Sequence, residues 1–301
     1  MTKHLRGDSF VNRYRITGTL TSRSPLHIGS GFCEPGEPNE QGEATKVNLI
    51  ARDFRGLPYI PGSALKGVMR HWLLHVLGGL AGNWADTNSY SNDELDDNGN
   101  IQDQQLEKVR SSFSWLELLF GTPWHAGKID VWDCPCITTV QSANDALTNW
   151  SPDRLTYQET SVAIDPETGT AAEHLLYTSE VVPEGISFQV SICGQNLDDL
   201  EIGMLLLALQ AFNSEIYPLS LGAKAGRGYG RMSYARDAIH RLSTDQVDAW
   251  VTKTIASYGQ PPQDQPDAGF YGLDRLEQEQ EQALLKDALG AFVSELGERN
   301  G

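Results

Sequence analysis

The chain contains no apolar run approaching the roughly 20 residues needed to cross a bilayer. Its start, Met1-Thr-Lys-His-Leu-Arg-Gly-Asp8, is polar with no signal-peptide core behind it, so a cytoplasmic location is expected. Cysteine is scarce: Cys33, Cys134, Cys136 and Cys193 are too few and too scattered for a disulfide framework. Asp133-Cys-Pro-Cys136 lacks the two-residue spacer of zinc sites, so free thiols are expected. There is no Gly-x-Ser-x-Gly elbow and no nucleotide-phosphate loop, and His71 and His75 stand i, i+4 without a third metal ligand nearby. Basic residues are also in deficit, 23 Lys and Arg against 40 Asp and Glu, a net charge of -17. At face value this argues against nucleic acid, because phosphate contacts come from Lys and Arg.

The average conceals a segregation. Acids concentrate between Asp86 and Glu107 and in the tail from Asp264 to Glu281, whereas Lys3, Arg6, Arg13, Arg15, Arg23, Lys46, Arg52, Arg55, Lys66 and Arg70 crowd the first part of the chain. A basic face on an acidic protein is compatible with that pattern. With 301 residues and 40% hydrophobic content, the chain can bury a substantial core.

Tyr14 to Ser22 alternates β-formers with small or polar residues and predicts a strand with one buried face. Glycines and prolines between 29 and 46 are dense enough to predict an irregular loop. Leu65, Val68, Met69, Trp72, Leu73, Val76 and Leu77 fall at three- and four-residue spacing, an amphipathic helix capped by Ser63 and ended by Gly78-Gly79. Two extended stretches flank Asp165-Pro-Glu-Thr-Gly169 and predict a long hairpin. A second apolar helix is expected over Leu200 to Phe212, a closing strand over Tyr229 to Tyr234, and a further amphipathic helix over Gln278 to Leu296. That last helix carries Leu284, Leu285, Leu289, Phe292, Val293 and Leu296 as a stripe that fits either internal packing or a neighbouring subunit. Two strand-helix-strand passages fit an α+β sandwich of ferredoxin type, whose sheet is RNA-recognition-like.

Two segments could hold an anion. Gly62-Ser-Ala-Leu-Lys-Gly67 places a small-residue turn at a helix start, where free N–H groups and the helix dipole favour negative charge; Gly62 and Ser63 would form the seat and Lys66 and Arg70 one cationic face. A plain capped helix with a solvated basic edge reads equally well. Gly222-Ala-Lys-Ala-Gly-Arg-Gly-Tyr-Gly-Arg231 is more specific: its glycines permit close backbone approach, Lys224, Arg227 and Arg231 supply phosphate contacts, and Tyr229 offers a ring for a base. The bland alternative is a flexible surface loop. His27, in Ser24-Pro-Leu-His-Ile-Gly29, fits acid-base work, RNA contact or a structural role.

These motifs, with Ala51-Arg-Asp-Phe-Arg-Gly-Leu-Pro-Tyr-Ile-Pro61, Leu119-Phe-Gly121, Gly127-Lys-Ile-Asp-Val-Trp-Asp133 and Val162-Ala-Ile-Asp-Pro-Glu-Thr-Gly-Thr-Ala171, resemble the repeat-associated mysterious protein (RAMP) superfamily, most closely the backbone subunits of type III CRISPR effector complexes. The resemblance runs over roughly residues 10 to 235. It implies a ferredoxin-like palm with a β-hairpin thumb at about 156–180, a RAMP domain over 1–236 with an acidic insertion at about 84–104, and an acidic, mostly helical C-terminal extension over 237–301. The implied partners are CRISPR RNA, target RNA, other RAMP backbone subunits and a large polymerase-like subunit, with no membrane. His27, Lys66 and Arg70 would hold the guide backbone, and the glycine-rich segment would lie beside the same strand.

Relatives that cut target RNA use a loop aspartate with a divalent metal, about six residues before a second aspartate that precedes the Gly-x-Pro-Tyr-Ile-Pro-Gly run. Asp53 matches the second; counting back reaches Lys46 or Val47, and residues 29–52 hold glutamates but no aspartate. The resemblance therefore implies an RNA-binding subunit that needs no cofactor and has no metal site. The alternative, a metal-dependent ribonuclease subunit with Mg²⁺, rests on Glu43 or Asp53 as the catalytic carboxylate.

Overall fold

The computed structural model describes residues 4–38, 44–78, 113–122, 125–139, 150–164, 171–257 and 274–297. The acidic insertion at 84–104, Glu43 and the turn at 165–169 lie outside them. In chain order the strands are β1 (Asn12–Ser22), β2 (Gly29–Pro38), β3 (Ala44–Ile50), β4 (Tyr59–Ile60), β5 (Ile129–Val131), β6 (Cys134–Pro135), β7 (Tyr157–Ile164), β8 (Ala171–Val181), β9 (Ser187–Gln195), β10 (Met232–Ser243) and β11 (Asp274–Arg275). The helices are α1 (Gly62–Gly78), α2 (Trp115–Phe120), α3 (Asp199–Gln210), α4 (Val247–Ser257) and α5 (Gln278–Gly297).

The main sheet runs β11-β10-β1-β9-β5, antiparallel throughout. Taken in chain order, β1, α1, β5, β9, α3 and β10 form the β-α-β-β-α-β succession of a ferredoxin-like palm. Alternation along β1 explains its place: Tyr14, Ile16 and Leu20 point into the core, while Arg13, Arg15, Thr17 and Thr19 take the other face. On α1, Leu65, Met69, Leu73 and Leu77 recur every fourth residue, and each is fully buried, so one stripe of the helix seals against the sheet. The start of α3 is set by a reciprocal capping box: the Glu201 backbone N–H donates to the Asp198 carboxylate at 2.9 Å, and the Asp198 N–H donates to Glu201 Oε2 at 3.1 Å.

A second sheet, β2-β3-β8-β7, joins two hairpins; β7 and β8 make the thumb, and β3 runs parallel to β8 through Val47 opposite Thr178 and Asn48 opposite Ser179. The irregular loop expected over 29–46 is instead the ribbon β2-β3. The breakers are accommodated by irregular pairing: the register shifts between Gly29 and Cys33 and again between Pro35 and Pro38, and Gly31 takes a φ of 83°.

Position 236, the expected end of the RAMP domain, falls inside β10, which continues through the buried Ala238 and Ile239 to pair with Tyr14 to Thr17 of β1. The extension beyond it is attached to the palm. Leu284 and Ala288 of α5 are buried, Phe292 packs on the same core, and Gly203 of α3 admits the helix: a Cβ there would stand 2.8 Å from the Ala288 carbonyl oxygen. Internal packing therefore takes one side of the apolar stripe and leaves Leu289 and Val293 exposed. Among the described residues no helix is long and apolar enough to cross a membrane. All four cysteines are unbonded.

Candidate nucleic-acid interface

The glycine-rich segment is a closed loop stitched to the chain that follows β1. Leu221 N–H donates to the Gly230 carbonyl at 2.9 Å, Gly230 N–H to Pro25 at 2.8 Å and Ala223 N–H to His27 at 2.9 Å. Two glycines are needed for this packing rather than for a ligand. A Cβ on Gly222 (φ +77°) would sit 2.4 Å from the His27 carbonyl oxygen, and one on Gly230 (φ +74°) would sit 1.9 Å from that of Leu221. Gly226 and Gly228 face open space, and Gly228 takes a φ of +86°.

Its cations lean on the thumb base. Lys224, itself left-handed at φ 63°, donates to Ser179 Oγ at 3.2 Å and lies between the rings of Tyr177 and Tyr229, 5.2 and 5.3 Å from their centroids. The Arg227 guanidinium donates to the Tyr177 hydroxyl and pulls that phenol below its ordinary value. Tyr229 is only 8% exposed, and burial together with a hydrogen bond to Glu159 raises its phenol pKa. The ring turned outward beside the two cations is therefore Tyr177, which sequence reasoning missed because only the β7-β8 pairing brings it there. Arg231 is exposed, with its backbone N–H donating to Ser24 Oγ at 3.0 Å.

His27 is held against the thumb. Leu26 and Val182 exchange backbone hydrogen bonds of 2.9 Å each, which sets the neighbouring His27 Nδ1 2.7 Å from the Glu180 carbonyl oxygen. Burial, and secondarily Lys224, lower its pKa, so the ring is neutral at pH 7. The Glu180 side chain meanwhile accepts from Arg52, from Thr156 Oγ1 at 2.8 Å and from the Ile50 N–H at 3.3 Å, an ion pair tying the end of β3 to the thumb.

The start of α1 differs from the expected anion seat. The Pro61 carbonyl accepts from Ala64 and Leu65 at 2.9 and 3.1 Å, so Ser63 stands inside the first turn, exposed, rather than at the cap. Gly62 N–H donates to Asp133 Oδ1 at 2.8 Å, and a Cβ on Gly62 would lie 2.2 Å from the Val131 carbonyl oxygen. Lys66 turns inward: its Nζ donates to the Ile129 carbonyl at 3.0 Å, and desolvation lowers its pKa against the pull of Asp130. Arg70 lines a cleft with Gly121, Thr122, His125 and Gly127, where its buried Nε has no hydrogen-bond partner among the described residues. The α1 group thus contacts β5 and the segment before it, whereas the glycine loop contacts His27 and the thumb; no hydrogen bond joins the two groups among the described residues.

Asp53 closes a turn. Its carboxylate accepts from Arg55 N–H at 2.9 Å, Leu57 N–H at 3.1 Å and Arg55 Nε at 2.8 Å. Desolvation pushes its pKa upward, but those donors and the Arg55 charge together outweigh it and hold the carboxyl below the usual carboxylate range. Both oxygens already face a guanidinium or backbone N–H groups, an arrangement that does not fit a coordinated Mg²⁺.

Residues 19–233 match the family model of the RAMP superfamily. Over 252 residues, 75% of this chain and 69% of the relative, the sequence is 24% identical to the CRISPR system Cmr subunit Cmr6 of Pyrococcus furiosus.

Proposed function

Because the chain belongs to the RAMP superfamily, we propose that it is a CRISPR RNA-binding backbone or capping subunit of a type III interference complex, acting in antiviral defence in the cytoplasm. Its similarity to a protein named as a CRISPR system subunit supports this reading. The observation that carries it is the placement of Lys224 and Arg227. Both sit on a glycine loop fastened to His27 and braced by Tyr177 and Ser179 of the thumb base, so cations and an aromatic ring converge where palm and thumb meet. A strand with regularly spaced phosphates and π-faced bases suits such a surface. Arg231 extends it, and Arg70 offers a second, separate contact.

The partners under this reading are the guide RNA, target RNA paired to it, neighbouring RAMP subunits and a large polymerase-like subunit. No cleavage step is assigned to Asp53, whose oxygens are committed to the turn. The test is direct binding of a labelled CRISPR RNA to the purified chain. Replacing Lys224 and Arg227 together by Ala should weaken association by at least about tenfold, the effect of losing charge-assisted contacts; undiminished affinity would remove the reading.

A further inference from the structure

We propose that His27 is a ribose reader: its Nε2 accepts a hydrogen bond from a 2′-hydroxyl of the bound strand, selecting RNA over DNA. This rests on the RNA-binding reading above and adds what the histidine recognises.

The tautomer of His27 is fixed by its partner. A carbonyl oxygen can only accept, so the 2.7 Å contact to the Glu180 carbonyl requires the proton on Nδ1. In a neutral ring Nε2 then carries a lone pair and no hydrogen. Burial and the nearby Lys224 charge both favour that neutral form. Nε2 has no hydrogen-bond partner among the described residues, and the residue beside it is Gly29, which places no side chain against that nitrogen; a Cβ there would come to 3.4 Å.

An acceptor in this position cannot hold phosphate, which offers only acceptors, so within the guide backbone that His27 is expected to hold, the phosphate is not its partner. Lys224 and Arg227 are the groups suited to phosphate. On the sugar-phosphate backbone that such cations would align, the one hydrogen-bond donor is the ribose 2′-hydroxyl, absent from DNA. The strap to Glu180 orients the ring, and its backbone partner makes that orientation independent of any side chain on β8.

The experiment compares binding of RNA and DNA of one sequence, at one salt concentration, by wild type, His27→Asn and His27→Gln. Asn can keep a donor near the Nδ1 position while removing the Nε2 acceptor; Gln can return an oxygen near Nε2. The wild type should prefer RNA. His27→Asn should lose about fivefold of that preference, the net worth of one hydrogen bond, with DNA affinity unchanged, and His27→Gln should restore part of it. An unaltered RNA preference in His27→Asn, or an equal fall for both strands, would overturn the proposal. So would an effect that follows the base instead of the sugar when abasic or base-substituted RNAs are used. A wild type that binds RNA and DNA equally would refute the ribose reading alone; one that binds neither would refute the RNA-binding function beneath it.

Discussion

Asp133 supplies the start of α1 with its negative charge: its Oδ1 lies 2.8 Å from the Gly62 nitrogen. The carboxylate comes from the stretch just after β5, so the helix dipole and one of its unpaired N–H groups are served from within the protein. Gly62 is small for the same reason that Asp133 reaches it, since the Val131 carbonyl crosses where a side chain would stand.

Removing that carboxylate by Asp133→Ala should cost about 1 kcal/mol of folding stability, the usual worth of a helix cap, read as a shift of the denaturant midpoint. RNA affinity should not fall. A marked loss of RNA binding without loss of stability would show that Asp133 acts on the ligand side.

The two basic groups should separate in a salt titration. Arg227 is exposed and Lys224 half-buried beside the Tyr177 ring, both on the glycine loop, so replacing both by Ala should reduce the slope of log affinity against log salt by about 1.4, two single-strand phosphates at ~0.7 each. Lys66 is hydrogen-bonded to Ile129, so Lys66→Ala should lower stability and leave the slope nearly unchanged. Equal slope changes for the two variants would contradict the inward position of Lys66.

Much of the palm is legible in the sequence because its cause is periodic: the alternation of β1 and the four-residue spacing of Leu65, Met69, Leu73 and Leu77 each imply one buried face. The ribbon β2-β3 is not legible, since breaker residues signal loops locally and only register shifts against a partner strand make room for them. The start of α1 is not legible either: Ser63 reads locally as the cap, because no pattern near Gly62 announces that a carboxylate 71 residues away reaches its N–H. Lys224 and Arg227 were legible as cations in a glycine frame. Tyr177, Ser179 and Glu180 were not, because the thumb brings them to the loop only after long-range pairing.

Acidification should destabilise the fold through its buried histidines. Burial lowers the pKa of His27 and of His125 from 6.5, so the unfolded chain takes up protons first as pH falls. The stability present above 6.5 should therefore decline below it. Replacing His125 by Phe removes one of the two rings and a buried, unpartnered Nε2, so the variant should match the wild type at pH 7 and lose less stability by pH 5. An identical acid profile in urea titrations would exclude His125 as a contributor.

Asp53→Ala should act on a turn and not on chemistry. The substitution removes acceptors for Arg55 and Leu57 and should cost about 1 kcal/mol. With the assembled complex, complementary target RNA and Mg²⁺, the cutting pattern should be the same with and without it; disappearance of one regularly placed cut would restore the ribonuclease reading for this carboxylate.

The buried pair Lys128 and Glu201 offers the sharpest energetic test. Both side chains are fully buried, with Nζ 2.6 Å from Oε2. Desolvation and the neighbouring Asp198 push the Glu201 carboxyl up to about 8 against the pull of Lys128. Deleting one partner strands the other, so Lys128→Met should cost about 3 kcal/mol or more at neutral pH. The stranded carboxyl escapes by taking a proton. Its pKa is raised above the unfolded value, so the variant should regain stability as pH falls and lose it as pH rises through the folded value. Adding Glu201→Gln removes the stranded charge while keeping an acceptor for the Asp198 N–H, so the double variant should be more stable than Lys128→Met alone. Strictly additive losses in this cycle would mean that the two groups do not act as a pair.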